Sequence, residues 1–299
     1  MSPVTEVCRI LTIIIGIVAI ITNMITFFML CCIRQLRKRQ NVLIANLAVA
    51  DFLVGVFATL MSTTHNGSDS LTSLDATTNA MFSLLWVFAV SFERFLAVVV
   101  APFRYRYVVT KCKLTIACIC LWIFSLIFIS GMSMLLIFAV EDRKYMQPVY
   151  FIYLSMTCVV GLMYAIIFGF VKRQSDTFER GCASVNARHA RLKSLFVTFA
   201  ILFGLLCCCL LPNQLFMMYV IHTTTGTSLK NTFQAVVYDI SHVLLPLNSA
   251  LNPFVYWWRI PEFRSGYKRL LEPCFSKFYR PSVVASISRP NSYANTTAL

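Results

Sequence analysis

Charge is what this chain is shortest of. Only 13% of its 299 residues are Asp, Glu, Lys or Arg, and just 12 are acids. That is about half the charged share of a soluble domain, and no stretch is polar enough to close a water-facing surface over a separate soluble core. Histidine is scarcer, with four residues. There is no multi-His group, no pair of neighbouring aspartates and no Ser/His constellation, so the chain is not expected to be an enzyme. Cysteine is not scarce, but its placement argues against a disulfide framework. Cys31, Cys32, Cys118, Cys120, Cys158 and the run Cys207-Cys208-Cys209 lie in or at the ends of apolar runs. Thiols placed there act as small hydrophobes, and no zinc spacing occurs among them.

What is abundant is hydrophobic sequence, at 58%. It falls into seven runs, Val7–Ile33, Asn41–Met61, Leu74–Val100, Leu114–Val140, Val149–Val171, Leu192–Ile221 and Phe233–Trp258. Each has about 20 or more mainly apolar residues, enough to cross a bilayer. The fold class is an all-α membrane protein, a seven-transmembrane helix bundle without internal repeats.

The net charge of +14 reads as topology rather than nucleic-acid binding, because basic loops stay cytoplasmic. Arg34, Arg37, Lys38 and Arg39 follow the first run. Arg104, Arg106, Lys111 and Lys113 follow the third, and Lys172, Arg173, Arg180, Arg188, Arg191 and Lys193 follow the fifth. The alternate loops are poor in base. An odd number of spans then puts the N-terminus outside and the C-terminus in the cytoplasm, at the plasma membrane. The first run has no basic region ahead of it and is expected to be an uncleaved anchor. Asn66-Gly67-Ser68 is a glycosylation sequon on the outer side, whereas Asn295-Thr296-Thr297 lies in the inner tail.

Residues 1–272 make up the bundle. They include an amphipathic helix at about 261–271, with Phe263, Tyr267, Leu270 and Leu271 near one face for membrane lipid and bases on the other. Pro261 suits its first turn. Cys274 is either a palmitoylation site or a plain cytosolic thiol. The tail, 273–299, is expected to be disordered.

Polar residues inside the spans carry the functional argument. Asp51 sits mid-span, where an ionisable group costs on the order of 3 kcal/mol unless it finds partners. No Lys or Arg lies at matching depth. Neutral oxygens do: Asn23, Asn79 and Ser83 one turn apart, and Asn248, Ser249 and Asn252. Such a set suits water or a small hard cation. The last run also holds Pro246 and Pro253, each of which removes a backbone donor. Pro212 in the sixth run predicts a kink.

The last run ends Asn252-Pro253-Phe254-Val255-Tyr256 and the third ends Glu93-Arg94-Phe95. On these motifs the chain resembles the rhodopsin-like (class A) G-protein-coupled receptors from about Val7 to Cys274. Pro102-Phe103-Arg104-Tyr105 is similar to adenosine receptors, and NSALNPFVY and RIPEFR to adenosine or amine receptors. One extra residue lies between Arg94 and Pro102 relative to those receptors. The resemblance implies a sodium pocket at Asp51, Asn79, Ser83, Asn248, Ser249 and Asn252. It also implies a switch in which Arg94 leaves Glu93 for Tyr164 and Tyr256 and meets a heterotrimeric G protein, with hinges at Pro212 and Pro253.

The chain departs from the family pattern at several positions. Leu192 stands where a second acid would lock Arg94, Leu210 replaces the tryptophan of Cys-Trp-x-Pro, and Met156 replaces a proline. The outer disulfide is not expected, since Asp69 stands at its first position and Glu141–Gln147 has no cysteine. Ala76 stands at the amine-binding acid, Met217 at the adenosine-contacting asparagine and Pro246 at the retinal lysine. A small extracellular ligand of unknown class would meet Thr77, Asn213, Gln214 and His242, residues that could equally make interhelical hydrogen bonds. A second reading, a transporter or channel with Asp51 as an ion or proton relay, predicts inverted repeats.

Overall fold

The computed structural model describes residues 3–64, 83–100, 109–138, 147–178, 183–223 and 232–278. Among these the chain is helical apart from short connections at 33, 37–38, 109–110 and 260. The helices are α1 (Pro3–Cys32), α2 (Val42–Thr64), α3 (Ser83–Val100), α4 (Lys111–Phe138), α5 (Gln147–Phe178), α6 (Ala183–Thr223), α7 (Thr232–Arg259) and α8 (Pro261–Phe278). Most outrun their apolar segments because the helix continues into polar flanks. α6 is the extreme case at 41 residues.

Among the described residues, six helices, α1 to α6, each hold a stretch long and apolar enough to qualify as a span by composition. The seventh run expected from the sequence, α7, has 28 residues, or about 42 Å at the usual rise, so it is long enough. Its low hydropathy has a plain cause. Gln234, Ser241, Asn248, Ser249 and Asn252 are all buried, so the polar face of α7 is turned into the bundle.

α1 and α2 meet through glycines. A Cβ on Gly55 would lie 2.7 Å from the Gly16 carbonyl oxygen and 3.1 Å from the Ala19 Cβ, so only glycine lets the backbones come this close. α7 packs against α1, α2 and α6, and α5 lies along α6. The opposite faces carry exposed apolar side chains, among them Ile14, Ile17, Ile21 and Phe28 on α1, Ile123 and Ile127 on α4, and Phe151 and Leu162 on α5. These are the faces for lipid.

Two features refine the sequence reading. The last turn of α3, Leu96–Val100, is a π-helix. A π turn holds one more residue than an α turn, and it lies in the interval after Arg94 where the sequence carries its extra residue. α8 continues past the expected end at 271 to Phe278, with Pro273 inside it. Gly266 seats it on the end of α1 and the turn that follows: a Cβ there would lie 3.0–3.2 Å from Met29, Leu36 and Ile33. The Thr26 and Tyr267 hydroxyls are hydrogen bonded at 2.7 Å, and Lys38 pairs with Glu262 at 3.1 Å.

Candidate functional site

Asp51 is fully buried. The Asn252 amide donates to its Oδ2 at 2.7 Å, and the Ser83 hydroxyl donates to Oδ1 at 3.3 Å. Ser83 also meets the Ser249 hydroxyl at 3.2 Å. One carboxylate therefore draws α2, α3 and α7 to a point. α1 joins for a reason set by proline. Pro253 has no N–H, so the carbonyl four residues back, that of Ser249, lacks its helical donor. Asn23 Nδ2 donates to that carbonyl at 3.0 Å and to the Ala19 carbonyl at 3.0 Å. The break in one helix thus becomes the joint with another. Asn248, one turn from Asn252, is buried with both side-chain polar atoms unpartnered, and so is the Asn23 Oδ1. Asn79 lies outside the described residues.

At the inner end of α3, Glu93 and Arg94 are both buried and lie 3.1 Å apart. Phe95 follows them, half-buried. Tyr164 is buried on α5, accepts a hydrogen bond from Ser91 at 3.2 Å, and stacks on Phe203 of α6 with ring centroids 5.3 Å apart. Tyr256 is buried with its hydroxyl unpartnered, and its ring sits 5.7 Å from that of Phe263 on α8. Tyr256 therefore touches the helix that follows it, and Tyr164 the helix that carries Pro212. Pro212 lies within α6, and Pro246 and Pro253 within α7. In α6 the proline frees the Cys208 carbonyl by the same rule.

Nearer the other end, Ser241 of α7 donates to Asn213 Oδ1 at 3.3 Å. Gln214 is buried, and neither of its amide atoms has a partner. His242 is half-buried, with its ring 5.7 Å from that of Tyr238. Thr77 and the sequon asparagine Asn66 lie outside the described residues. Cys274 falls on the α8 backbone, but its side chain lies outside the description.

Two participants escaped the sequence reading. Ser91 bonds Tyr164, and Asn46 of α2 accepts from Trp122 Nε1 at 2.9 Å while donating to Cys118 Sγ at 3.6 Å. Ser91 precedes Arg94 by three residues, and Asn46 precedes Asp51 by five. Both are polar residues inside apolar runs, the signal that exposed Asp51. Trp122 also meets Trp86 with centroids 5.3 Å apart.

Residues 22–256 match the family described as 7 transmembrane receptor (rhodopsin family). The chain is similar to human lysophosphatidic acid receptor 4, 25% identical over 85% of this chain and 74% of that receptor. It is also similar to rat trace amine-associated receptor 8b, 26% identical over 86% and 83%, and to human neuropeptide FF receptor 1, 23% identical over 89% and 70%. These relatives are receptors rather than enzymes, and nothing in them supports the transporter or channel alternative. With a match over most of its length and a buried hub drawing four of its helices together, the chain belongs to the rhodopsin family of seven-transmembrane receptors and is a G-protein-coupled receptor.

Proposed function

We propose that this receptor lies in the plasma membrane with its N-terminus outside and passes the binding of a small extracellular ligand to a heterotrimeric G protein. The observation that carries the reading is the Asn252–Asp51 bond at 2.7 Å. It fixes α7 to α2 beside Ser83 of α3, the helix whose inner end carries Arg94 about 16 Å further along. A ligand that binds better when this hub is rearranged shifts the equilibrium between two conformations. Arg94 leaves Glu93, Tyr164 and Tyr256 receive it, and α6 swings about Pro212 with Pro253 relaxing in α7. The relatives' names point to a lysophospholipid, an amine and a peptide, and we assign none of these to this chain.

We further propose that the hub accommodates a sodium ion in the resting conformation. The donor set fits: one carboxylate, the hydroxyls of Ser83 and Ser249, and the unpartnered amide oxygens of Asn248 and Asn23. No group of three or more His, Cys, Asp or Glu suited to a metal occurs among the described residues. A single negative charge balances a monovalent ion better than a divalent one. Bound there, the ion would hold the charge of Asp51 and oppose the rearranged hub.

Arg94→Ala tests the first proposal. Nucleotide exchange on added G protein should fall to background while surface expression is retained, and unchanged exchange would refute it. Asp51→Asn tests the second. Sodium titration should alter the parent's exchange rate and leave the variant's unaffected, and equal responses would remove the ion.

A further inference from the structure

The outward side of α1 is one apolar stripe. Ile10, Ile14, Ile17, Ile21, Met24 and Phe28 are all exposed, and they recur every three or four residues, the spacing that keeps side chains on one side of a helix. In a chain that spans a bilayer, this exposure is to lipid. Continued at about 100° per residue, the helix brings Cys31 and Cys32 about 50° to either side of the stripe's midline. Both thiols are exposed. The stripe therefore ends on a vicinal pair of nucleophiles.

The depth of the pair is set by its surroundings. α8 packs on the other side of the same turns, with Tyr267 bonded to Thr26 and Gly266 against Met29, Ile33 and Leu36. An amphipathic helix of this kind lies where hydrocarbon gives way to headgroups, so Cys31 and Cys32 stand at that level. Arg34 and Arg37 follow, both exposed. Arg37 turns back, and its Nε donates to the Cys31 carbonyl at 2.7 Å, an acceptor that the helix end leaves open. The last turn of α1 thus carries thiols on its lipid side and cations at its tip.

The other exposed thiols are placed differently. Cys120, Cys158 and Cys208 lie within the spans, away from any reagent carried in water. Cys112 is exposed in the first turn of α4, with Lys113 between it and the apolar run. At the end of α1 a thiol meets a water-borne acyl donor and has hydrocarbon beside it for the product. From Phe28 to Ile17 the stripe runs about 16 Å, close to one leaflet of a hydrocarbon core about 30 Å thick.

We propose that the Cys31-Cys32 pair is an S-acylation site, bearing a long-chain fatty acyl group in thioester linkage that lies along the α1 stripe in the inner leaflet. The cysteine thiolate attacks the carbonyl carbon of a long-chain acyl-coenzyme A. A carbon–sulfur bond forms to the cysteine, the bond to coenzyme A breaks, and the departing thiolate takes up the proton that the cysteine gave. No oxidant or reductant is needed. Arg34 and Arg37 suit the phosphates of that donor, and each methylene placed in the leaflet favours the anchored product. The proposal rests on the receptor reading above for the cytoplasmic placement of this end of α1.

The test uses the full-length receptor from cultured animal cells, with Cys112→Ser and Cys274→Ser removing the other thiols at the inner face. Free thiols are blocked with N-ethylmaleimide in denaturant, thioesters are cleaved with neutral hydroxylamine, and the released thiols are tagged with a polyethylene glycol maleimide. A hydroxylamine-dependent gel shift should appear, and adding Cys31→Ala/Cys32→Ala should remove it. Mass spectrometry of the unsubstituted receptor should find a fatty acyl group on the peptide that carries the pair, lost on hydroxylamine treatment. That measurement holds even if the substituted chains fail to fold. A shift undiminished by the double substitution, or a parent peptide without the acyl group, would overturn the proposal. After hydroxylamine, a membrane-impermeant maleimide should label this peptide only in permeabilised cells. Labelling in intact cells would overturn the orientation itself, whereas an unacylated pair reached only after permeabilisation leaves the orientation standing and removes the acyl group alone.

Discussion

If the Asn252–Asp51 bond is the joint between α2 and α7, exchanging its partners should be far less damaging than changing Asn252 alone. Asp51→Asn keeps a hydrogen bond across the 2.7 Å contact but makes it neutral. A bond to a charged group contributes about 1.5–3 kcal/mol and a neutral one about 0.5–1.5, so the loss is about 1 kcal/mol. Asn252→Asp places two carboxylates at that separation. With an effective dielectric of about 20, like charges at this distance repel by about 6 kcal/mol, and uptake of one proton at pH 7 caps the cost at about 4 kcal/mol. The double variant Asp51→Asn/Asn252→Asp restores one carboxylate and one amide, now on opposite helices. It should recover most of the second loss and show a coupling of several kcal/mol in a double-mutant cycle. The assay is the inactivation half-life at fixed temperature in nanodiscs, followed by the fluorescence of the four tryptophans, because membrane receptors often unfold irreversibly. If the double variant is as short-lived as the two single losses added together, the direct joint is wrong.

Gly55→Leu should be among the most damaging single changes, costing about 1–3 kcal/mol or more. Its Cβ would sit 2.7 Å from a backbone oxygen that cannot rotate away, and the measurement is the yield of monodisperse receptor. Tyr267→Phe removes the bond to Thr26 and should cost about 1 kcal/mol, seen as faster hydrogen exchange confined to α8. Lys38→Ala should change the half-life little. Its ion pair with Glu262 is more than a third exposed on both sides, and such pairs contribute about 0–1 kcal/mol.

The spans were legible because bilayer length imposes a simple rule on apolar runs, and Asp51 stood out because one acid in such a run demands partners. Asn252 and Ser83 were found the same way, as oxygens at matching depth. The sequence could not say that Asn23 answers a carbonyl orphaned by Pro253, because that needs the crossing of α1 and α7. Ser91 and Asn46 were missed because a serine or asparagine can bond within its own helix, and only packing decides otherwise. The six-span count by composition has the same origin: α7 reads as polar because its bundle-facing side holds the residues that matter.

The wide turn at Leu96–Val100 has a consequence for length variation. An insertion in a regular helix twists everything downstream by about 100°, which would carry the basic second inner loop away from Arg94. Here the surplus is taken up as girth rather than rotation, so α3 ends at Val100 on the side it would have faced without it. The segment should accept a one-residue deletion by tightening to an ordinary turn, whereas the same excision one turn earlier would unseat the Glu93–Arg94 pair.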